Sequence, residues 1–181
     1  MDRPGMDLGA RVGFAIPMGD LAADNQLGNF LSGAVPLTLE LTIRGNKNVA
    51  VGLAFDLAPT LTKNCDPGAS CSATDYRLNL EAIFTSRAGM PVDPWLGIGV
   101  GYEWFELSES GELSAEFTGW DYATIEVGGE FRSGDQLALG PFASFSLGQF
   151  SSGSANGASG DVANPSLHEW LQFGLRGTIN L

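Results

Sequence analysis

The single histidine of the chain is the residue most open to a catalytic interpretation. His168 lies two positions after Ser166 in the run Ser-Leu-His-Glu, and a serine activated by a histidine is a common nucleophile. The two would share one face of a strand, because strand side chains alternate between faces. No matched acid is evident, and a lone histidine at the start of a strand is expected at the surface. We therefore predict no catalytic residues and no enzymatic activity.

Metal and nucleotide chemistry are not indicated either. Cys65 and Cys71 are the only cysteines; a zinc site would need two further ligands, and His168 is far along the chain. The short segment Asn-Cys-Asp-Pro-Gly-Ala-Ser-Cys instead predicts a disulfide in an oxidising compartment. The glycines of residues 97–101 recur with a period of two and precede no helix, which argues against a nucleotide-binding motif. We predict no metal and no cofactor.

The stretch from Trp95 to Trp104 shows how the whole chain is organised, because bulky and small residues alternate along it. One face carries Leu96, Ile98, Val100, Tyr102 and Trp104, and the other carries Gly97, Gly99, Gly101 and Glu103. Glycine weakens a strand interior and is used where something must approach closely, so the glycine face predicts a narrow, crowded interior. The bulky face would then meet lipid, as in membrane barrels, which are apolar outside and polar or small inside.

The same two-faced pattern occurs eight times along the chain. The predicted strands lie near residues 7–17, 34–44, 48–58, 75–86, 94–105, 120–132, 137–149 and 168–181. Each has about the 9 to 11 residues that a tilted strand needs to cross a bilayer. A membrane-spanning strand is therefore a consistent interpretation of all eight.

The connections between these strands alternate strictly in length. The short ones are residues 45–47, 86–93 and 133–136, and the long ones are residues 19–33, 58–75, 106–118 and 151–166. An up-and-down barrel with both termini at one end would place every short turn at that end and every long loop opposite. A soluble sandwich with Greek-key crossovers gives no reason for such alternation.

Eight alternating strands, alternating connections and a final strand that ends at the last residue resemble the OmpA/OmpX-type eight-stranded outer-membrane barrels of Gram-negative bacteria. The resemblance covers nearly the whole chain but is one of architecture, and it identifies no subfamily. It implies an all-β, eight-stranded antiparallel up-and-down transmembrane β-barrel in the outer membrane, surrounded by lipid and lipopolysaccharide. Short turns and termini would be periplasmic, long loops extracellular, and the protein a monomer. Leu181 is a departure, because such barrels commonly end in an aromatic residue that the insertion machinery recognises.

Charged residues fall on the small-residue face, which this interpretation places inside. The inward set is Arg11, Glu40, Arg44, Asp56, Arg77, Glu81, Glu103, Glu126, Glu130, Arg132 and Arg176. Side chains just fill the interior of an eight-stranded barrel, so these charges must pair and form hydrogen bonds to be tolerated. We predict a structural salt-bridge network that fills the lumen and leaves no open pore. The functional alternative is a gated or proton-conducting core.

Aromatic residues near strand ends are expected at the membrane interfaces, where their amphipathic rings lie at the headgroup level. The predicted aromatic girdle consists of Tyr76, Phe84, Trp95, Tyr102, Trp104, Trp120 and Phe131. The strand parity leaves open which way Trp95 and Trp120 point. Mid-strand positions of the lipid face hold no lysine or arginine, as expected where either would cost roughly 2–4 kcal/mol.

The long connections and their flanks are acidic. They hold Asp20, Asp24, Asp66, Asp75, Glu106, Glu109, Glu112, Glu116, Asp161 and Glu169, against Lys63. This acidic crown predicts either a solvated, self-repelling surface or a site for a basic extracellular partner or for divalent cations that bridge to lipopolysaccharide. Residues 151–160 have the composition of a flexible linker. Leu21, Leu27, Phe30 and Leu31 predict either a short helix or flap at the rim or side chains that pack on it.

Composition excludes several classes of protein. The 181 residues carry a net charge of −12, and nine scattered basic residues form no patch, so nucleic acid is not predicted as a partner. Length and composition fit a single domain, residues 1–181. No window reaches the roughly 18 apolar residues of a transmembrane helix, so a position in a bilayer requires a closed barrel. Met1 to Met6 lacks the apolar segment of a signal peptide, so an exported chain would be a mature form.

Four functions are compatible with this sequence, and we favour the first. It is a non-enzymatic outer-membrane barrel that stabilises the envelope or acts through its loops in surface interactions. The alternative is a conduit similar to the OmpW kind of barrel, in which a small apolar solute enters between the loops and leaves sideways through the wall. The third is a lipid-modifying barrel enzyme that uses His168 and Ser166. The last is a soluble lipocalin-like barrel with the apolar face inside, which would leave the loop alternation unexplained.

Overall fold

Strands form almost all of the structure. The computed structural model describes residues 5–22, 25–46, 48–63, 70–86, 92–109, 113–134, 136–155 and 157–181. The elements are β1 (Gly5–Ala22), β2 (Asn25–Gln26), α1 (Leu27–Phe30), β3 (Leu31–Ala34), β4 (Leu37–Asn46), β5 (Val49–Thr62), β6 (Cys71–Thr85), β7 (Val92–Glu109), β8 (Leu113–Ser133), β9 (Leu137–Ala155), β10 (Ala158–Asp161) and β11 (Leu167–Asn180). No helix in these ranges is long and apolar enough to cross a membrane.

Eight of the strands form a closed antiparallel ring. Neighbours pair in the order β1, β4, β5, β6, β7, β8, β9 and β11, and β11 pairs back onto β1. The closing ladder runs from Asp7 opposite Asn180 to Gly19 opposite His168. This is the predicted eight-stranded up-and-down barrel, and the fold prediction is confirmed. We call the end that carries the short turns the turn side and the opposite end the loop side.

The barrel is apolar outside and charged inside. Leu39 and Ile98 are 64% and 48% exposed, whereas Arg77 and Glu81 are only 9% and 4% exposed. A continuous exposed apolar band of this kind is unfavourable in water and favourable against hydrocarbon. The lipocalin-like alternative is wrong, because it requires the apolar residues to line the interior.

The glycine run on β7 makes room for side chains that reach over it from neighbouring strands. A Cβ atom added to Gly97 would lie 3.0 Å from Oε2 of Glu126, which projects from β8. On the other side, a Cβ atom on Gly101 would overlap the side-chain amide of Asn79 on β6 and lie 2.8 Å from the carbonyl oxygen of Leu78. The close approach predicted from the glycine face is therefore made by polar lumen side chains.

Replacement of Gly101 by valine should destabilise the barrel, because the new side chain would displace Asn79 and press on the β6 backbone. Overpacking of this kind costs roughly 1–3 kcal/mol. The matched control is Gly160→Val in β10, where a Cβ atom would have no neighbour within 4 Å. Urea unfolding in detergent micelles should show a lower midpoint for Gly101→Val only. Equal midpoints for the two variants would contradict this account of the glycine run.

Strands on the loop side extend well beyond their predicted ends. β5 reaches Thr62, β7 reaches Glu109 and β9 reaches Ala155. The prediction of a flexible linker at residues 151–160 is wrong for the described residues, because 151–155 form the end of β9 and 158–160 lie in the hairpin strand β10. Its serine and glycine residues favour coil by composition, but β9 is held by ladders to both β8 and β10. Strand pairing here overrides local propensity.

Candidate functional site

Arg11 of β1 lies at the centre of a buried ion-pair network in the lumen. Its Nε donates to Glu40, one terminal nitrogen donates to Glu126, and the other donates to both oxygens of Glu81 at 2.7 and 2.8 Å. All four residues are more than nine-tenths buried. The three acids project from β4, β6 and β8, so one guanidinium connects four separate strands across the interior.

Arg176 of β11 extends this network toward the turn side. It donates to Glu40 at 2.6 Å and to Glu130 at 2.5 Å. We call Arg11, Arg176, Glu40, Glu81, Glu126 and Glu130 the Arg11 cluster. Each guanidinium bonds to more than one carboxylate, and all three of its nitrogens donate to acids that would otherwise be unpaired in a low-dielectric interior.

Trp95 lies beneath this cluster and not in the aromatic girdle, so its assignment to the girdle is wrong. It is 4% exposed, and the guanidinium carbon of Arg176 lies 4.6 Å from its ring centroid. The reason is strand parity, because Trp95 shares the inward face of β7 with Gly97 and Glu103. Inside the barrel, the face of the Trp95 ring makes a cation–π contact with the Arg176 guanidinium.

A second network lies nearer the loop side, and we call it the Glu103 cluster. Its members are Asp75, Arg77, Glu103 and His168. Glu103 Oε2 lies 2.6 Å from His168 Nε2, and its Oε1 accepts from Trp170 Nε1 at 3.3 Å. Arg77 donates from Nε to Asp75 at 2.8 Å and lies 3.4 Å from Glu103. Asp75 was expected in the acidic crown, but it is fully buried because it shares the inward face of β6 with Arg77.

His168 is buried in this cluster and not at the surface, contrary to the sequence-based expectation. It is 1% exposed, and its ring stacks on Phe150 with the centroids 4.3 Å apart. Gly148 faces it on β9, and a Cβ atom at Gly148 would lie 2.8 Å from His168 Nε2. The opposing glycine is the sequence signal for a buried ring at this position. Its Nε2 is engaged with Glu103, so the ring is a buried member of this network.

Two further ion pairs lie at the turn side of the lumen. Arg44 pairs with Asp7 and also donates to Asn180, and Arg132 pairs with Asp93. These four charged side chains are 9–26% exposed. The vestibule at this end is polar, and it is lined by both Arg44 and Arg132.

The predicted lumen residues therefore all lie inside the barrel, but they form separate groups. Six of them form the Arg11 cluster, and Arg77 and Glu103 belong to the Glu103 cluster. Arg44 and Arg132 have their partners near the turns. Asp56 accepts hydrogen bonds from Thr38 and, at 3.1 Å, from Asn79. The sequence pattern did not identify the inward Asp7, Asp75, Asp93, Asp121 and His168. Asp7 and Asp75 begin predicted strands and Asp93 precedes one, and at strand ends the alternation does not by itself assign a face.

A bulge on β8 explains both Asp121 and the girdle at this level. The pairing shifts between Asp121 and Ala123, so Asp121 points inward while Trp120 and Tyr122 are 56% and 49% exposed. A bulge inserts one extra residue and reverses the alternation beyond it. The exposed Trp120 ring lies 5.3 Å from that of Tyr102 in an edge-on contact.

The remaining girdle positions lie on the outer wall. Tyr76, Tyr102 and Trp104 are partly exposed, and Phe84 and Phe131 are 41% and 56% exposed. Tyr102 and Trp104 stack edge to face at 4.8 Å. Tyr76, Tyr102, Trp104 and Trp120 form an aromatic surface on β6, β7 and β8 just below the loop side, whereas Phe84 and Phe131 lie near the turn side.

The loop side of the lumen is closed by an apolar cap. The cap consists of Ala15, Leu27, Leu31, Ala34, Ala58, Ala73, Phe105, Phe150 and Trp170. Leu27 begins the short helix α1 and Leu31 directly follows it; each is 1% exposed, whereas Phe30 is exposed. The part of the first connection around α1 therefore packs inward over the ion pairs, as a short helix or flap at the rim would.

Chemically, the lumen is a set of buried ion pairs beneath the apolar cap.

No protein-family model matches the chain, and no curated protein matches it in sequence. Solved structures match over nearly the whole length. A major outer membrane protein from Thermus thermophilus has a TM-score of 0.65 at 14% identity, covering 98% of this chain and 99% of its own. This chain has the fold of an eight-stranded outer-membrane barrel.

Two further structures share this barrel fold. The outer membrane protein OprG from Pseudomonas aeruginosa has a TM-score of 0.61 at 15% identity and covers 99% of this chain and 98% of its own. Ail, the attachment invasion locus protein of Yersinia pestis, has a TM-score of 0.53 at 11% identity and covers 100% of both chains. Ail has also been solved in complex with the heparin analogue sucrose octasulfate. At these identities the likeness concerns the fold.

Proposed function

We propose that this protein is a non-enzymatic barrel of the outer membrane whose lumen is sealed and whose activity lies on its loop side. The observation that carries the proposal is the lumen itself, in which two ion-pair clusters lie beneath the apolar cap around Leu27 and Leu31. Removing one member of a buried ion pair strongly destabilises a protein. An interior built from such pairs therefore favours a static, side-chain-filled lumen over one that opens to let a solute pass. The loop-side surface is then the part of the molecule left for recognition.

The orientation we propose places the loop side outside the cell and the termini in the periplasm. The extended strands β7, β8 and β9 support it, because they continue past the aromatic surface around Trp104 and Trp120 on the loop side only. Lipopolysaccharide would surround this region, and a closed ring without a free edge between the membrane boundaries supports a monomer. We also propose that Cys65 and Cys71 form a disulfide on the loop side. Cys65 lies outside the described residues.

The acidic crown determines the class of partner that we propose. Glu106 and Glu116 lie directly opposite each other on β7 and β8, and both are exposed. Asp20, Asp161 and Glu169 lie on the same side, while Asp24, Asp66 and Glu112, and the side chain of Glu109, are outside the described residues. Like charges at opposed positions are unfavourable in isolation and are relieved by a positively charged partner. We therefore propose a basic surface as the partner, in contrast to the sulfated heparin analogue that Ail binds.

A basic probe tests this proposal. Polylysine should bind the protein in zwitterionic micelles, and binding should weaken as salt rises, because exposed charges are screened. Joint replacement of Glu106 and Glu116 by glutamine should weaken binding by about threefold to tenfold, since each exposed charge pair contributes up to roughly 1 kcal/mol. Thr118→Val, on the same face, is the uncharged control and should have no effect. Tighter binding of sucrose octasulfate than of polylysine would contradict the proposal.

One observation favours the conduit as a second candidate. The ladder between β1 and β4 ends at Val12 opposite Leu37, and above it β1 is joined to the next strand by the 3.3 Å hydrogen bond from Gly13 to Pro36 and by the single pairing of Ala15 with Ala34. The ring of Phe14 covers this thinly paired stretch from outside, lying against Gly33. Such a seam would lead sideways from the apolar cap to lipid. Proteoliposome flux of a small apolar solute distinguishes the candidates, because the sealed barrel requires a rate equal to that of empty liposomes.

A further inference from the structure

The tyrosine and tryptophan side chains of the outer wall are gathered on one side of the barrel. The chain has three tyrosines and four tryptophans, and Trp95 and Trp170 are buried inside. The other five lie on the adjacent strands β6, β7 and β8, and they are the aromatic surface of Tyr76, Tyr102, Trp104 and Trp120 with Tyr122 beside it. A girdle that only anchors a barrel runs around it at both interfaces. Confinement to three strands favours a more specific contact.

The strand register arranges this part of the outer wall in rows whose chemistry changes toward the loop side. The lowest row consists of Leu78, Tyr102, Trp120 and Gln149, the middle row of Tyr76, Trp104, Thr118 and Ser152, and the uppermost row of Thr74, Glu106, Glu116 and Ser154. Rows are two residues apart along β6, β7 and β8, which is about 6.5 Å. The wall therefore changes from aromatic to acidic over about 13 Å.

The rings of the two lower rows are held in place and still exposed. The Tyr102 ring meets Trp104 and Trp120 edge to face at 4.8 and 5.3 Å, and the Tyr122 hydroxyl donates to Gln149 at 3.0 Å. Trp120 is nevertheless 56% exposed. Rigid aromatic side chains supply contact area at a low cost in conformational entropy, so this surface is preorganised for a partner.

The uppermost row adds charge to the same face. Glu106 and Glu116 lie opposite each other and are both exposed, and Trp104 lies one row below Glu106 on β7. A lysine or arginine side chain is attracted by carboxylates and also by the face of a tryptophan ring. Trp120 lies two rows below Glu116, too far for the same cationic group to contact both. A partner that covers the whole face must therefore be basic at one edge and apolar at the other.

We propose that this face binds a cationic amphipathic segment of a partner protein that lies in the membrane interface. Its basic side chains contact Glu106, Glu116 and Trp104, and its apolar side chains contact Tyr102 and Trp120. The inference rests on the proposed function, since both use the acidic pair, and it specifies the kind of basic partner. Segments of this composition lie with their apolar side at the boundary between headgroups and acyl chains, which is the level of aromatic girdles. Phosphate-bearing lipids fit less well, because they share the sign of the acidic row.

The test measures the binding of two cationic probes to the barrel in nanodiscs of zwitterionic lipid. One probe is a lysine–leucine peptide patterned as an amphipathic helix, the other is polylysine with the same number of charges, and empty nanodiscs give the background for each. Trp120→Ala should weaken the binding of the amphipathic peptide by at least about fivefold, as truncation of a central aromatic contact does. It should leave polylysine binding unchanged, because polylysine needs only the acidic row.

The matched control is Phe131→Ala, which removes an equally exposed ring from the turn-side end of the same strand and should affect neither probe. The gel shift on heating checks that each variant is folded. Joint replacement of Glu106 and Glu116 by glutamine should weaken both probes. If it does, but the peptide binds Trp120→Ala as it binds wild type, the rings serve lipid anchoring and this inference alone is overturned. If the glutamine variant binds both probes like wild type, the acidic row is not a recognition site and the proposed partner class fails as well.

Discussion

Replacement of Arg11 by methionine should prevent the barrel from reaching a stable folded state. The substitution fills similar volume but leaves Glu40, Glu81 and Glu126 facing one another without the guanidinium that now bonds to all three. Breaking a buried ion pair by removing one partner costs roughly 3–5 kcal/mol. Arg11 serves three acids, so we expect a cost at or above the upper end. That is a large part of the stability of an ordinary domain.

Graded substitutions separate charge from geometry at this position. Arg11→Lys keeps the positive charge but cannot reach three carboxylates with a planar fork, so its stability should lie between wild type and Arg11→Met. Arg44→Met is the control, because Arg44 pairs with Asp7 at the partly exposed turn side and its loss should cost much less. The readouts are the fraction refolded in micelles, judged by the gel shift on heating, and the urea midpoint. Equal losses for Arg11→Met and Arg44→Met would contradict a central role for Arg11.

Much of this architecture follows from one regularity in the sequence, the alternation of bulky and small residues. It was sufficient to place Arg11, Glu40 and Glu126 in the interior and Leu39 at the lipid face, because a strand offers only two directions. It could not determine which inward charges meet. Arg11 and Glu126 are 115 residues apart, and their contact depends on the diameter of the ring and the register of its strands.

The failures of the sequence analysis also have local physical causes. The bulge beyond Asp121 reverses the alternation on β8, and no residue type announces it. His168 is a polar residue near a strand start, and its burial depends on Glu103 of β7 and Phe150 of β9, which are 65 and 18 residues away in the sequence. The β9–β10 hairpin shows a different limit, because Ser and Gly allow a strand but do not require one. In all three cases the outcome depends on which residues of other strands lie alongside, and tertiary structure determines those neighbours.

The second large effect should come from a charge on the lipid face. Val100 is 50% exposed on β7, midway between Leu96 and Trp104 along the outer wall. Val100→Arg would place a guanidinium against hydrocarbon, where the cost is about 2–4 kcal/mol at the midplane and falls to about 0–1 kcal/mol near the interfaces. We expect strongly reduced insertion into lipid vesicles, together with a lower stability of the fraction that inserts.

Depth is what distinguishes this prediction from a general intolerance of arginine. Leu137→Arg introduces the same side chain on the same outer surface, where Leu137 is 47% exposed, but at the turn-side start of β9, where the arginine extends to the headgroups. Val100→Leu controls for side-chain volume and should insert like wild type. If a bilayer surrounds the wall, Val100→Arg is much worse than Leu137→Arg in vesicles. Equal tolerance of arginine at both sites would mean that water, and not hydrocarbon, lies against Val100, which is incompatible with a membrane-spanning barrel.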